Sequence, residues 1–301
     1  MMQFDGLRPA RLKVGVISAG RVGSALGAAL ERADHVVVAC SAISAESRQR
    51  ARQRLPDTPV LPAGDVAGHA ELLLLAVPDT ELAAVVSGLA ATDAVRPGTI
   101  VVHTSGANGI GVLAPLTEQG CLPLAIHPAM TFTGSDADIH RLSQTCFGIT
   151  AADEIGYAIA ESLTLEIGGE PFRVGENARI LYHAALCHGG NHVVTVLVDA
   201  LEALRAALPG QLGIADPDGI AERVLGPLVR AALENTLQSG SAALTGPVAR
   251  GDSATLAAHL AALEAVDPAL AQAYRASALR TARRAQTGDD VLATLAQELA
   301  Q

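Results

Sequence analysis

The chain has 301 residues, half of them hydrophobic, and a formal net charge of −10, long and apolar enough for about two domains with a substantial core. An acidic balance without a lysine or arginine cluster argues against a nucleic-acid or anionic-membrane surface, which needs concentrated positive charge. No apolar run approaches the roughly 20 residues of a membrane span, no signal-peptide pattern opens the chain, and Cys40, Cys121, Cys146 and Cys187 have neither disulfide-framework nor zinc spacing, so a soluble cytoplasmic protein is expected.

Residues 1–10 form a patternless lead-in. Short aliphatic runs then alternate with helical stretches: Leu12 to Ser18, Val36 to Cys40, Leu72 to Val77, Thr99 to His103, Leu122 to His127 and Thr145 to Thr150. This alternation predicts βαβ units and a mostly parallel sheet covered on both faces. A helix over about Ala151 to Ile167 and a strand around Phe172 to Val174 would close this first domain, residues 1–174. Strand signals end there, so residues 175–301 are expected to be all helical. A long helix from Asn177 to Ala207 should stop at Pro209-Gly210. Others should cover Pro217 to Gln238, Asp252 to Val266, Asp267 to Gln286, and Asp289 to the end, with Asp252, Asp267 and Asp289 as N-caps.

The first strand runs into Ser18, Ala19, Gly20, Arg21, Val22 and Gly23, with Gly27 one turn further on. This nearly matches the dinucleotide fingerprint G-x-G-x-x-G, Ser18 replacing the first glycine. Its second glycine admits the backbone to a pyrophosphate, and the following helix N-terminus supplies N–H groups and a positive dipole end. An NAD site usually carries an acid at the end of the second strand. Here that strand ends in small residues and hydroxyls, Ser41 and Ser44, with Arg48 beyond and no acid before Glu46. That chemistry suits a 2′-phosphate, so NADP(H) is expected in preference to NAD(H), although Arg48 could equally belong to a solvated helix face with Arg50 and Arg52. Val77 and Pro78, in Ala76 to Asp79, end a strand at the same edge, where they would pack beside the ribose and nicotinamide.

Two further strands end there in His103-Thr104-Ser105-Gly106 and His127-Pro128. His103, Ser105 and His127 are therefore candidate ligand contacts, though histidines also end strands to bond loop carbonyls. On the long helix His183, Cys187, Asn191 and Thr195 form one i, i+4 stripe on an otherwise apolar, buried element. That stripe suits either a substrate or a helix–helix hydrogen-bond track. His188 and His192 have the spacing of a metal pair, but no third ligand is evident and no metal is expected. Between later helices, Ala243 to Asp252 offers Thr245 and Arg250, the latter a candidate carboxylate clamp, beside Gly246-Pro247 and Gly251-Asp252 turn signals.

The order S-A-G-R-V-G, A-V-P-D, H-T-S-G, H-P, Y-H-A-A, Asn and A-L-T-G-P-V-A-R-G-D resembles a bacterial family with a Rossmann-like first domain and a helical second domain of unknown function. More distantly it is similar to the superfamily with a 6-phosphogluconate-dehydrogenase-like helical domain, including pyrroline-5-carboxylate reductases, ketopantoate reductases and β-hydroxyacid dehydrogenases. Ser105 with His127-Pro128 is similar to prephenate dehydrogenase strand ends, where such a histidine contacts substrate.

The resemblance implies an α/β Rossmann fold followed by an all-α domain, and an NADP-dependent oxidoreductase reducing C=O or C=N in a small anionic metabolite. Ketopantoate reductases and β-hydroxyacid dehydrogenases carry a catalytic lysine on the first helix of the second domain, whereas the only lysine here is Lys13. His183 is the first substitute proton donor and His127 the second, with Asn191, Ser105 and Arg250 orienting substrate. The missing lysine also keeps open a non-catalytic NADP-binding sensor. A homodimer through the helical domain is expected, because the few helices of one chain leave a nearly all-apolar long helix uncovered.

Overall fold

The computed structural model describes residues 11–208 and 219–287. It divides into two compact units, one ending at Gly190 and the other beginning at Asn191.

In the first unit, strands and helices alternate: β1 (Lys13–Ile17), α1 (Arg21–Arg32), β2 (Val36–Cys40), α2 (Ala45–Arg54), α3 (Ala63–His69), β3 (Leu72–Leu75), α4 (Asp79–Ala91) and β4 (Ile100–His103). There follow α5 (Ala114–Thr117), β5 (Leu122–Pro128), α6 (Ala137–Arg141), β6 (Cys146–Ala151), α7 (Glu154–Glu166), β7 (Glu170–Arg173) and α8 (Arg179–Gly189). One seven-stranded sheet runs in the order β2-β1-β3-β4-β5-β6-β7. Its first five strands are parallel, β6 is antiparallel to β5, and β7 is parallel to β6.

The period-two alternation of side chains along a strand explains the layers. Leu72 and Leu74 face a core shared with Leu26, Leu30 and Leu163 from α1 and α7. Leu73 and Leu75 face the opposite core, with Val66 from α3 and Leu82 and Val86 from α4. This is the doubly covered α/β Rossmann sheet read from the alternating runs. Because β2 lies on one side of β1 and β3 on the other, the strand order reverses beside the carboxyl end of β1, and that switch point is where open α/β sheets bind ligands.

The second unit is helical among the described residues: α9 (Asn191–Ala207), α10 (Ile220–Ser239), α11 (Gly246–Arg250), α12 (Ser253–Val266) and α13 (Pro268–Ala285). Asp252 caps α12 through the Thr255 amide and Asp267 caps α13 through the Ala269 amide, as the sequence suggests. The expected helix from Asp289 and the Pro209-Gly210 stop fall outside the described residues. No helix among the described residues is long and apolar enough to cross a membrane.

Three differences from the sequence reading stand out. The expected Asn177–Ala207 helix is two helices, interrupted at Gly190, because paired glycines at 189 and 190 cost a helix about 1 kcal/mol each. The compact units divide at that break rather than at 174/175, leaving α8 with the sheet. Nor is α9 buried all round: it carries no buried residue in the single chain, and Val194 and Val196 are more than half exposed.

Candidate functional site

Ser18, the residue in place of the fingerprint's first glycine, takes φ +73°, the left-handed region in which glycine is free of strain. Its amide donates to Ser41 Oγ at 3.0 Å, and the Ala19 amide donates to the Ser41 carbonyl at 2.7 Å. The buried Ser41 thus zips the turn to the end of β2 as well as lying at the expected 2′-phosphate position. Gly23 is dictated by the fold, since a Cβ there would lie 2.1 Å from the Ser18 carbonyl oxygen. Gly20 is not, because its nearest neighbour would be Ser18 Oγ at 3.5 Å, an ordinary contact. A glycine the chain's own packing does not require, at the N-cap of α1, leaves open space for an approaching ligand. No side chain caps that N-terminus and its first turn has no acid, so the amides of Arg21, Val22 and Gly23 keep their positive dipole end.

Beyond β2, Ser44 caps α2 by accepting from the Ser47 amide. Arg48 is exposed and donates from Nε to the Ala42 carbonyl at 3.3 Å, which holds the guanidinium back along the β2–α2 loop. A Cβ on Gly134 would lie 3.3 Å from Arg50 Nε and 3.4 Å from Arg21 Cγ, so the loop after β5 brings Arg21 and Arg50 together. Arg50, read from sequence only as part of a solvated face, therefore borders the turn. Val77 is half-buried against the α3–α4 core, and Pro78 N-caps α4.

A second set of side chains gathers where β4, β5 and β6 meet α8. The ring of His103 is fully buried, its Nε2 2.9 Å from the Gly109 carbonyl and its Nδ1 accepting from the Ser105 amide. Ser105 is also buried, its hydroxyl accepting from the backbone and side-chain amides of Asn108. Both candidates order the loop after β4, His103 by bonding a loop carbonyl as strand-end histidines do, because polar groups on that buried loop must find partners.

His127 is different. Nδ1 lies 2.8 Å from Tyr182 Oη, while Nε2 projects over Gly106, 2.9 Å from where a Cβ there would sit. His183 packs edge-on against His127, ring centroids 6.0 Å apart, and its Cδ2 fills the same space over Gly106. The Nε2 of His183 faces Cys187 Sγ at 3.6 Å along its own helix. The expected stripe thus holds as far as Cys187, whereas Asn191 opens α9 in the other unit, is exposed, and continues no common helix with His183.

Beneath these rings lies Arg179, which the sequence reading passed over. The residue is 1% exposed, and its guanidinium donates to the carbonyls of Asn108 at 2.9 Å, Gly148 at 3.0 Å and Ser105 at 2.6 Å. It joins the β4 loop to β6 without a carboxylate in contact among the described residues. The electrostatic consequence falls on the histidines: burial first, then the Arg179 charge, then His183 and His103, push His127 down to about 4. Burial does the same to His103. Both rings are neutral near pH 7. Burial raises the Tyr182 phenol, with Arg179 opposing.

In the helical unit, Ala243–Asp252 is not simply a loop. Its centre is the short helix α11, anchored by Val248 in a core with Leu256, Leu260 and Ala282. Thr245 and Arg250 are exposed at its ends. A cavity of about 710 Å³, lined mostly by apolar residues of α9, α10, α12 and α13 together with Asp199, His259, Tyr274 and Ser277, also lies in this unit.

Residues 2–128 match the model of a Rossmann-like domain, and residues 145–281 match that of a domain of unknown function, DUF2520. No curated protein matches the sequence. Among solved structures, the chain is similar to protein BF3122 of Bacteroides fragilis, provisionally named an NADP oxidoreductase (21% identity, 91% of this chain and 98% of that one, TM-score 0.73). It is similar also to the reductive aminase of Aspergillus terreus in complex with NADPH and ethyl-5-oxohexanoate (15%, 96% and 100%, 0.64). A third is prephenate dehydrogenase of A. aeolicus with hydroxyphenyl propionate and NAD+ (17%, 76% and 88%, 0.54). In order along the chain, a match to a Rossmann-like domain is thus followed by a match to a DUF2520 domain.

Proposed function

We propose that the protein is an NADP(H)-dependent oxidoreductase that reduces a C=O or C=N bond of a small anionic metabolite, with His127 donating the proton. The observation that carries this reading is the pairing of an uncapped, acid-free α1 N-terminus beside the unencumbered Gly20 with a half-buried histidine at the carboxyl end of β5 in the same sheet. One feature suits the pyrophosphate and the other suits acid–base work. The names of solved relatives point the same way, two of the three including NADP or NADPH in their description.

The residues fit a dinucleotide in detail. Amides of Arg21 to Gly23 would hold the pyrophosphate, and Val77 and Pro78 would bound the nicotinamide side. Arg48, with Arg21 and Arg50, would supply charge for the 2′-phosphate that an acid after β2 would repel. When bound, the reduced nicotinamide supplies hydride. His127 is preferred over His183 because its Nε2 has no hydrogen-bond partner among the described residues, whereas that of His183 is turned to Cys187. In the helical unit Asn191, Thr245 and Arg250 are exposed polar groups, Arg250 having the chemistry of a carboxylate clamp. A non-catalytic NADP sensor is the second reading, favoured by the absence of any lysine but Lys13.

The test has two arms. Fluorescence titration should give NADPH an affinity at least tenfold above NADH, about 1.4 kcal/mol, and Arg48→Ala should narrow that gap; equal affinities refute the cofactor assignment. Loss of nicotinamide absorbance across 2-oxo acids and cyclic imines separates an enzyme from a sensor, since a sensor binds without turnover. His127→Ala should lower kcat by about 10² or more with NADPH affinity unchanged.

A further inference from the structure

Resting on that reading, we propose that Tyr182 is a positioning and relay residue: it holds His127 with its proton on Nε2 and resupplies that proton from the phenol during reduction.

The argument starts from hydrogen-bond accounting. A neutral imidazole has one N–H and one acceptor nitrogen, and a phenol has one proton. Only one proton can lie between Oη and Nδ1, 2.8 Å apart. If His127 donated it, the Tyr182 proton would need another acceptor, and among the described residues the hydroxyl has none but Nδ1. If Tyr182 donates it, both groups are satisfied and the remaining imidazole proton stands on Nε2, over Gly106. The buried Arg179 guanidinium favours this sense. Its carbon lies 5.7 Å from the Tyr182 ring centroid, and a nearby cation makes a hydroxyl the better donor while disfavouring a second proton on the imidazole.

Three further features show a built arrangement. Gly148 on β6 leaves the space that Oη occupies, since a Cβ there would lie 2.7 Å from it. Gly106 leaves the corresponding space at Nε2, 2.9 Å away. Phe172 closes the far side of the Tyr182 ring, edge-on at 5.8 Å. Two glycines on different segments thus fit the two ends of one tyrosine–histidine pair.

In the reaction the substrate carbon takes hydride, and its oxygen or nitrogen takes the proton of His127 Nε2. Nδ1 takes the proton of Tyr182 Oη, and the phenolate, formed beside the Arg179 cation, recovers its proton from solvent. One hydride and one proton reach the substrate, and His127 ends neutral with its proton on Nδ1 until the pair resets. A neutral imidazole alone is a feeble acid; the phenol behind it makes donation feasible without a charged histidine.

The experiment is nitrogen NMR of labelled His127 in the full chain, which needs no substrate. The ring should be neutral with its proton on Nε2 near pH 7, and Tyr182→Phe, which removes only the hydroxyl, should release it to a mixture of tautomers. With a turnover substrate, Tyr182→Phe should lower kcat by about 100-fold with KM for NADPH unchanged, and a two-proton solvent isotope inventory should become a one-proton one. Gly148→Ala, which crowds Oη, should reproduce both results if Tyr182→Phe disturbs folding. A wild-type ring protonated on Nδ1, or a tautomer indifferent to both variants, overturns the proposal even if the oxidoreductase reading stands. A clean Nε2–H tautomer in a protein that binds NADPH without turnover overturns the reduction reading and the resupply step while leaving the positioning role in place.

Discussion

Acid should destabilise the first unit over a window set by His103 and His127. Each is held near 4 in the folded chain against an ordinary value of 6.5, so the unfolded chain binds the proton more readily. With the folded values depressed, the stabilisation is complete above about pH 6.5 and is lost as pH falls toward 4. At pH 5 an unfolded histidine is almost fully protonated and a folded one about one-tenth so, which corresponds to about 2 kcal/mol per histidine, or about 4 kcal/mol for the pair. That is a large share of the 5–15 kcal/mol typical of a domain. Glu31, whose carboxyl burial pushes up, acts in the opposite sense; the lowered Asp138 acts in the same sense but below this window. Urea titration at about pH 7.5 and pH 5, with hydrogen exchange of β4 and β5 amides to isolate this unit, should show the loss. His103→Gln should roughly halve the slope. Equal midpoints and equal exchange protection at the two pH values refute the reasoning, because neutral buried rings require the penalty.

Ser18→Gly should raise the melting temperature by roughly 2–4 °C, the equivalent of about 1 kcal/mol of relieved left-handed strain less the added freedom of the unfolded chain; an unchanged or lower value in a thermal scan would show that the Ser18 side chain contributes more than its backbone costs. Gly23→Ala should do the reverse, since the Cβ would meet the Ser18 carbonyl at 2.1 Å; it should weaken NADPH binding by tenfold or more, measured by titration. Sedimentation at micromolar concentration should give a homodimer, because Val194, Val196, Leu228 and Leu233 are each more than half exposed in the single chain and apolar surface of that extent is normally covered; a monomer alone would contradict this.

The sheet was legible because fully buried strands leave short aliphatic runs, and six of those runs fall on observed strands. The glycine turn was legible because its demands are local. Arg179 and Tyr182 were not, since what defines them is carbonyls and a histidine brought from other strands, a purely tertiary fact with no periodic signature. An arginine in a mostly apolar stretch was the one available signal. For His103 both readings stayed open for the opposite reason: a strand-end histidine bonding its own loop and one facing a ligand have the same local sequence. The continuous helix failed at Gly189-Gly190, where intrinsic propensity outweighed an unbroken apolar pattern.

The placement of α8 sets the packing unit against the sequence unit. Arg179, Tyr182 and His183 pack against β4, β5 and β6, upstream of the Gly190 break, although the DUF2520 match, residues 145–281, runs from these residues through the helices that follow. Under the proposed function, the fold boundary and the family boundary therefore differ: the residues proposed to handle the proton pack with the sheet while belonging in sequence to the second matched domain.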